Sequence, residues 1–337
     1  MERKFKVGIC AGIILLIVAI GSWYHFNVNS KTPESTLRMV EESIHEHNKE
    51  NFYKFVDLEG ILETSYEGII DGMTYNSNKI MTEELRESVK DFTEMLKSPM
   101  LLSLQAAIDS YIETGNFHEE DNVGVAELLQ RTGLNRAEFR GVGNIIVNPN
   151  DDNVAEADIQ LYHPEIGREF TLKFILKREE SGDWKITHVE NFHEFIKQIN
   201  KVRRKKLDDY LNKSAEINLK HDKLLRNAEE KSKAISAAGS LAQEVTRTKL
   251  KAIMLDEIKK DWENRKAEFS ELTVPKDAET LQNLRLKICD LEISYAENYA
   301  KWLDDKQAAT IKSAEEKHHQ AKTLKLEEQA LVRRMTD

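Results

Sequence analysis

The feature that most constrains this fold is the near absence of glycine and proline from residue 201 to residue 337. This stretch contains one glycine, Gly239, and one proline, Pro275. Because these two residue types interrupt regular helix most strongly, their scarcity predicts long helices that turn at few places. Residues 201–337 are therefore predicted to form a helical hairpin that turns at Pro275, or a three-helix bundle with a second turn near Gly239.

Apolar side chains in this stretch recur at helical intervals. One stripe includes Trp262, and a second follows Pro275. The second stripe has intervals of three, four and seven residues and includes Leu284, Ile288, Leu291, Tyr295 and Trp302. Such spacing is typical of a seam where helices pack, as in a coiled coil. The seam and Trp262 are predicted to form the core of a bundle or, alternatively, an exposed surface that binds another protein or a second copy of the chain.

Four segments before residue 200 alternate between apolar and polar side chains instead. They cover residues 143–148, 154–162, 169–178 and 184–190, and turn-rich sequences of hairpin length join them. This pattern predicts a four-stranded antiparallel meander with one buried face. Amphipathic helices precede it; the first starts at Thr32, and Pro99 is expected to break or kink a later one. Residues 31–200 are therefore predicted to be an α+β head with helices packed on the sheet.

An apolar run without charges extends from Val7 to Tyr24 and follows Arg3, Lys4 and Lys6. As a helix it would be about 27 Å long, close to the thickness of a bilayer's hydrocarbon core. The basic flank predicts a single-pass transmembrane anchor (residues 1–30) in contact with the lipid bilayer, with a cytoplasmic N-terminus and an extracytoplasmic remainder. The alternative is a cleaved signal, which would leave a secreted or periplasmic protein.

Charge is distributed unevenly along the chain. Residues 31–200 carry 17 basic and 33 acidic side chains, whereas residues 201–337 carry 29 basic and 25 acidic ones. This shift favours a domain boundary near residue 200. The basic region could meet an anionic partner, such as an envelope polymer. Nucleic acid is not predicted as a partner, because the acidic head would repel phosphate groups.

The head resembles the nuclear-transport-factor-2-like superfamily, and in particular its bacterial envelope members with one N-terminal membrane segment. The resemblance covers about residues 32–200. It rests on the capped first helix, on residues 51–59 (NFYKFVDLE) and on the final strand of the meander, residues 182–190 (GDWKITHVE). It implies a curved sheet wrapped around helices, in some members enclosing a cone-shaped pocket. The helical stretch 60–132 is longer than the usual unit, and no residues match the acid/base pair of the enzymatic members.

Motifs for catalysis and for metal binding are weak. His45 and His47 are two residues apart, whereas zinc ligands on one helix need a separation of four. The two cysteines, Cys10 and Cys289, would lie on opposite sides of the predicted membrane, so no disulfide is expected. No catalytic residue, cofactor or metal site is predicted.

A pocket in the head would draw on the end of the last strand. Trp184, His188 and His193 are the candidate residues for it. The leading functional prediction is a non-enzymatic binding or scaffold module of the bacterial cell envelope, in which the head and the helices engage another envelope protein or polymer. The alternative is a small-ligand binder, or an enzyme, that uses a pocket in the head.

Overall fold

The computed structural model describes residues 31–74, 83–115, 124–125, 136–164 and 166–336. Its contacts divide the chain into two compact units, one that ends at Arg203 and one that begins at Arg204. The division falls inside a single helix, α5, which spans Phe192–Ala238. We call the units the α+β unit and the helical unit.

Helices open the described part of the α+β unit. Their bounds are α1 Pro33–His45, α2 Lys49–Phe55, α3 Leu58–Thr74 and α4 Glu83–Thr114. The predicted start of α1 is confirmed, because the Thr32 side chain accepts a hydrogen bond from the backbone N–H of Ser35 in a capping box. Helix α4 does not end at Pro99, which lies inside it.

The sheet has the order β1-β2-β3-β4, and all its strand pairs are antiparallel. The strands are β1 Glu138–Asn148, β2 Asp151–His163, β3 Arg168–Arg178 and β4 Trp184–Val189. This is the sheet that the alternating segments predict. On β2 the side chains of Ala155, Ala157, Ile159 and Leu161 are at most 1% exposed, because successive residues of a strand face opposite sides of a sheet.

The core of the α+β unit is apolar. Helix α3 packs on β4, and α1 and α2 also contact β4. The first turns of α5 contribute to the same core. Large side chains that are at most 2% exposed in it are those of Trp184, Phe52, Phe174, Phe192 and Phe195. Transfer of such side chains from water to the interior is the main driving force for this packing.

The helical unit contains the remainder of α5 and the segments that follow it. These segments are α6 Glu244–Ala252, a π-helical segment Ile253–Lys259, α7 Lys260–Ser270, a short 3₁₀ turn Lys276–Ala278, α8 Glu279–Asp305 and α9 Ala308–Thr336. The four arms described in this unit are α5, the run from α6 to α7, α8 and α9. A residue later on one arm pairs with a residue earlier on the next arm. The pairs are Lys220–Glu268 and Lys231–Glu257, and Lys259–Glu297 and Lys266–Asp290. Successive arms are therefore antiparallel.

The chain turns near Gly239 and near Pro275, and it turns again after α8. At this third turn Lys306 has a φ of 51°, and its N–H donates to the carbonyl of Trp302. A left-handed residue just after a helix ends it, and glycine is the usual residue there. Because a lysine occupies the position, the sequence did not signal the turn, and a fourth arm was not predicted.

The transmembrane helix in the predicted fold class is contradicted, and we correct the fold class accordingly. Within the described residues, no helix is both long enough and apolar enough to cross a membrane. The long helices α5, α8 and α9 carry charged side chains throughout, which hydrocarbon would not accommodate. The run from Val7 to Tyr24 lies outside the described residues, and a single-pass anchor is not supported. The supported fold class is α+β with a four-stranded antiparallel sheet, followed by packed helices.

Candidate functional site

Several ionisable or polar side chains are buried inside the helical unit, where apolar ones would be expected. Each is at most 7% exposed: His221, Asp261, Arg265, Gln282, Arg285 and Glu292. Burial of a charge away from water is unfavourable unless the charge is paired and hydrogen-bonded. The contacts of these residues therefore identify the chemically distinctive part of the unit.

Arg285 on α8 contacts side chains of α5, α7 and α9. Its Nε donates to Glu328 Oε1 on α9 at 2.7 Å, and its Nη1 donates to the hydroxyl of Tyr210 on α5 at 3.1 Å. The same guanidinium lies 5.5 Å from the ring centres of Tyr210 and Phe269. Tyr210 in turn donates to Gln282 Oε1 at 2.9 Å. Arg285 is thus held by one carboxylate, one hydroxyl and two aromatic faces.

Arg265 on α7 is held in a similar way. Its guanidinium lies 4.4 Å from the ring centre of Trp262. One terminal nitrogen donates to the carbonyl of Asn218 at 3.1 Å and also contacts the Asp222 carboxylate. The Arg265 Nε is buried and has no hydrogen-bond partner in the described structure. One donor of this charged group therefore remains unsatisfied, which is unfavourable for a buried N–H.

Lys325 on α9 approaches the same indole ring. Its Nζ is 4.7 Å from the ring centre of Trp262 and 2.6 Å from Glu292 Oε1. His318 Nδ1 lies 3.0 Å from Glu292 Oε2. Burial by itself would raise the pKa of Glu292, but the hydrogen bonds and charges of His318 and Lys325 outweigh it and hold this pKa below its usual range. Glu292 is accordingly an ion-paired carboxylate inside the bundle.

Arg265, Arg285 and Lys325 line a groove with a volume of about 580 Å³. We call it the cationic groove, because its charged lining comprises four cations and two carboxylates: Arg265, Arg285, Lys325, Arg333, Asp222 and Glu328. The larger apolar side chains of its lining are Leu211, Leu219, Trp262, Phe269, Ile288 and Val332. The groove therefore combines fixed positive charge with an apolar surface, and its volume is in the range of small-molecule sites.

The thiol of Cys289 also lines the cationic groove. Burial raises the pKa of this thiol to about 12. At neutral pH it is protonated, and a protonated thiol is a poor nucleophile. The position of Cys289 therefore does not support covalent catalysis in the groove.

A second buried polar contact ties α5 to α7 outside the groove lining. His221 Nδ1 lies 2.7 Å from Asp261 Oδ1, and its Nε2 is 3.3 Å from Glu268 Oε1. The Nε2 contact lacks hydrogen-bond geometry. Lys220 reaches the same Glu268 oxygen at 2.5 Å. We interpret this cluster as a structural link between two antiparallel helices.

The predicted seam residues lie where α8 meets its neighbours within the helical unit. Ile288 is buried, as is Trp262 on α7, and both line the cationic groove. Tyr295 stacks on His318 of α9 with ring centres 4.5 Å apart. Leu284, Leu291 and Trp302 are partly buried on α8. Intramolecular packing thus uses much of this seam.

The three candidate pocket residues of the head lie in different environments. Trp184 is 2% exposed and belongs to the apolar core of the α+β unit. His188 is half-buried beside the Thr187 hydroxyl, and burial lowers the pKa of its imidazole. His193 is exposed on the first turn of α5. The differing exposure of these three residues gives no evidence of a common site in the head. The side chains of the cationic groove, in contrast, line one site in the helical unit.

Sequence reasoning missed Arg265, Arg285 and Lys325, although a signal for the two arginines was present. Arg265 is three residues after Trp262 and four before Phe269, and Arg285 is three residues before Ile288. These are the intervals of one helix face. A charged residue within an apolar stripe indicates burial with a partner.

Comparisons with protein-family models, with curated proteins and with solved structures give no match for this chain. Across the described ranges, no group of three or more histidine, cysteine or acidic side chains is arranged to hold a metal ion. The cationic groove is therefore the described feature that bears on function.

Proposed function

We propose that the protein is a non-enzymatic binding module and that its helical unit binds an anionic ligand in the cationic groove. One observation carries the proposal: Arg265 and Lys325 both lie on the ring of Trp262, at 4.4 and 4.7 Å from its centre. The two cations are therefore no more than about 9 Å apart. Asp222 and Glu292 already pair with these two cations, and a bound anion would further offset the repulsion between them.

The charge balance of the chain supports the same proposal. Residues 201–337 have four more basic than acidic side chains, although the whole protein has a net charge of −10. A local positive potential within an acidic protein concentrates anions at one surface. The cationic groove lies in this basic part of the chain and presents guanidinium groups, which pair well with carboxylate and phosphate oxygens.

The proposal extends to location and to the head. We propose that the chain acts outside the cytoplasm after removal of an N-terminal signal. The basic residues before the apolar run and the small residues Ala19 and Gly21 support this. N-terminal sequencing of the mature protein tests it. We also propose that the α+β unit is a member of the nuclear-transport-factor-2-like superfamily, which the order of helices before an antiparallel sheet supports.

The test of the binding proposal uses two fluorescent probes that differ by one charge. Anilinonaphthalene sulfonate is an aromatic anion, and N-phenylnaphthylamine is its counterpart without the sulfonate. We expect the full-length protein to bind the anion more tightly. The exposed Arg333 lines the groove, so Arg333→Met should weaken binding of the anion about threefold to fivefold, since an exposed ion pair contributes up to about 1 kcal/mol.

The matched control is Arg226→Met, which removes an exposed arginine of α5 outside the groove lining. It should leave the affinity for the sulfonate unchanged. Neither variant should change the affinity for the uncharged probe. Equal affinity for both probes, or equal effects of the two variants, would show that the groove does not bind anions and would refute the proposal.

A further inference from the structure

We infer that the ligand of the cationic groove is a small organic monocarboxylate with an apolar tail. This inference rests on the proposed function and adds the chemical class of the ligand. It follows from three properties of the groove: the geometry of its unsatisfied donor, its surplus of charge and its apolar lining.

The donor geometry favours a carboxylate. Arg265 is 4% exposed, and its buried Nε has no hydrogen-bond partner within the described structure. The adjacent terminal nitrogen, Nη2, donates to the Asn218 carbonyl and contacts Asp222. Because Nη2 is already occupied, the free Nε offers a single donor and not a fork for both oxygens of a carboxylate. One oxygen of a ligand carboxylate would satisfy this donor with a charge-assisted hydrogen bond.

The charge surplus favours a single negative charge. Arg265 contacts Asp222, Arg285 donates to Glu328, and Lys325 reaches Glu292. Arg333 is then the remaining cation of the lining, with no acidic partner within the described residues. A monoanion neutralises one surplus charge. A phosphate dianion would bring a second negative charge close to Asp222 and Glu328, and the repulsion would oppose its binding.

The apolar lining favours a ligand with a hydrocarbon part. Leu211, Leu219, Ile288 and Val332 lie along the groove with Trp262. Leu219 is 76% exposed, so a bound tail could remove much of its apolar surface from water. The volume of about 580 Å³ exceeds what a carboxylate alone needs, whereas a carboxylate with a tail of several carbons fits the size of such sites.

The experiment compares ligands that share one tail and differ in the head group. Isothermal titration calorimetry of the full-length protein is performed with octanoate, octanol, octylammonium and octyl phosphate. We expect octanoate to bind at least about tenfold more tightly than octanol, because a charge-assisted hydrogen bond is stronger than a neutral one. Octylammonium should be the weakest ligand, and octyl phosphate should not exceed octanoate.

Two exposed leucines of α5 provide a test of the tail. Leu219→Ser removes an apolar side chain of the groove, and Leu224→Ser removes one outside its lining that is 50% exposed. Both positions are exposed, so neither substitution should disturb folding. Leu219→Ser should weaken octanoate about threefold or more, and Leu224→Ser should have no effect. Equal effects of the two substitutions would overturn the role assigned to the tail.

The remaining outcomes separate the two proposals. If the sulfonate probe depends on Arg333 while octanoate binds no better than octanol, the inference is overturned and the proposed function stands. The same holds if octyl phosphate binds at least about tenfold more tightly than octanoate. If neither the sulfonate nor octanoate is sensitive to Arg333→Met, both proposals fail. If octanoate competes with the sulfonate probe in the wild type and no longer does so in Arg333→Met, both proposals are supported.

Discussion

The two units of this protein are stabilised by different kinds of interior. In the α+β unit, the largest fully buried side chains are the phenylalanines Phe52, Phe174 and Phe195. In the helical unit, Arg265, Arg285 and Glu292 are buried almost as completely, at 2–4% exposure. The buried polar side chains described in the first interior are those of Thr36, Ser43, Ser65, His163 and Asn200. Those of the second include arginines and carboxylates, and each buried charge requires a partner.

This difference bears on how each unit specifies its arrangement. An apolar core tolerates exchange among side chains of similar volume. A buried charge does not, because a shifted helix would leave it without its counterion. We therefore propose that the pairs Arg285–Glu328 and Lys325–Glu292 fix the register of α8 against α9, while alternation of side chains fixes the faces of the sheet.

The largest expected effect is the loss of an aromatic side chain from the apolar interior. Phe174 is 1% exposed, so Phe174→Ala should lower the free energy of unfolding by about 3–5 kcal/mol. Hydrogen exchange measured by mass spectrometry should show lost protection in the α+β unit and unchanged protection in α8 and α9. The control is Phe92→Ala on α4, where the ring is 56% exposed. An equal loss in both units would contradict the division of the chain.

The second effect concerns the buried ion pair. Arg285→Met should destabilise the helical unit by about 3 kcal/mol, because the Glu328 side chain, 16% exposed, loses its counterion. Hydrogen exchange in α8 and α9 measures this loss. The added substitution Glu328→Leu should restore more than half of the stability, since an apolar pair no longer contains an unpaired charge.

The exposed ion pair Lys266–Asp290 provides the comparison for this cycle. Its side chains are 39% and 58% exposed. Lys266→Met should therefore change the stability by less than about 1 kcal/mol. Two results would show that buried charge does not determine how the helical unit packs. One is that Arg285→Met lowers the free energy of unfolding no more than Lys266→Met does. The other is that the double substitution lowers it more than Arg285→Met alone.

The same contrast explains which parts of the fold the sequence predicts. Alternation in residues 154–162 predicts β2, because only one face of that strand meets the core. The cap at Thr32 predicts α1, because its hydrogen bonds are local. In the helical unit, the positions of Arg265 and Arg285 within apolar stripes indicate that both are buried. Their partners Asp222, Tyr210 and Glu328 lie on other helices, so local patterns do not identify the pairs.

The candidate site also combines residues that local patterns predict with residues that they do not. Trp262 and Ile288 were predicted as members of an apolar seam, and both line the cationic groove. The charged side chains of the groove come from four helices, and the one that supplies Lys325 and Arg333 begins after an unsignalled turn at Lys306. A prediction with two or three helices has no position for that arm. The groove could not be assembled without it.

The smallest effect is a pH dependence that separates the two interiors. The hydrogen bonds and charges of His318 and Lys325 hold the pKa of Glu292 below its ordinary value of 4.5. A carboxylate with a depressed pKa in the folded state contributes stability that is present above its unfolded-state pKa and lost as the pH falls through the folded-state value. Glu292→Gln replaces charge-assisted hydrogen bonds with neutral ones and should cost about 1–2 kcal/mol at pH 7.

The stability difference between the wild type and Glu292→Gln should then shrink as the pH is lowered below about 4.5, because protonation neutralises the same side chain in the wild type. Hydrogen exchange in α8 and α9 at several pH values measures this stability difference. The control is Glu297→Gln, which removes a carboxylate of α8 that is 51% exposed and pairs with Lys259. Glu297→Gln should lower the free energy of unfolding at pH 7 by less than half as much as Glu292→Gln does. A difference for Glu292→Gln that stays constant down to pH 3 would mean that Glu292 does not titrate as an ion-paired carboxylate, and the buried pair would then stabilise the bundle by packing alone.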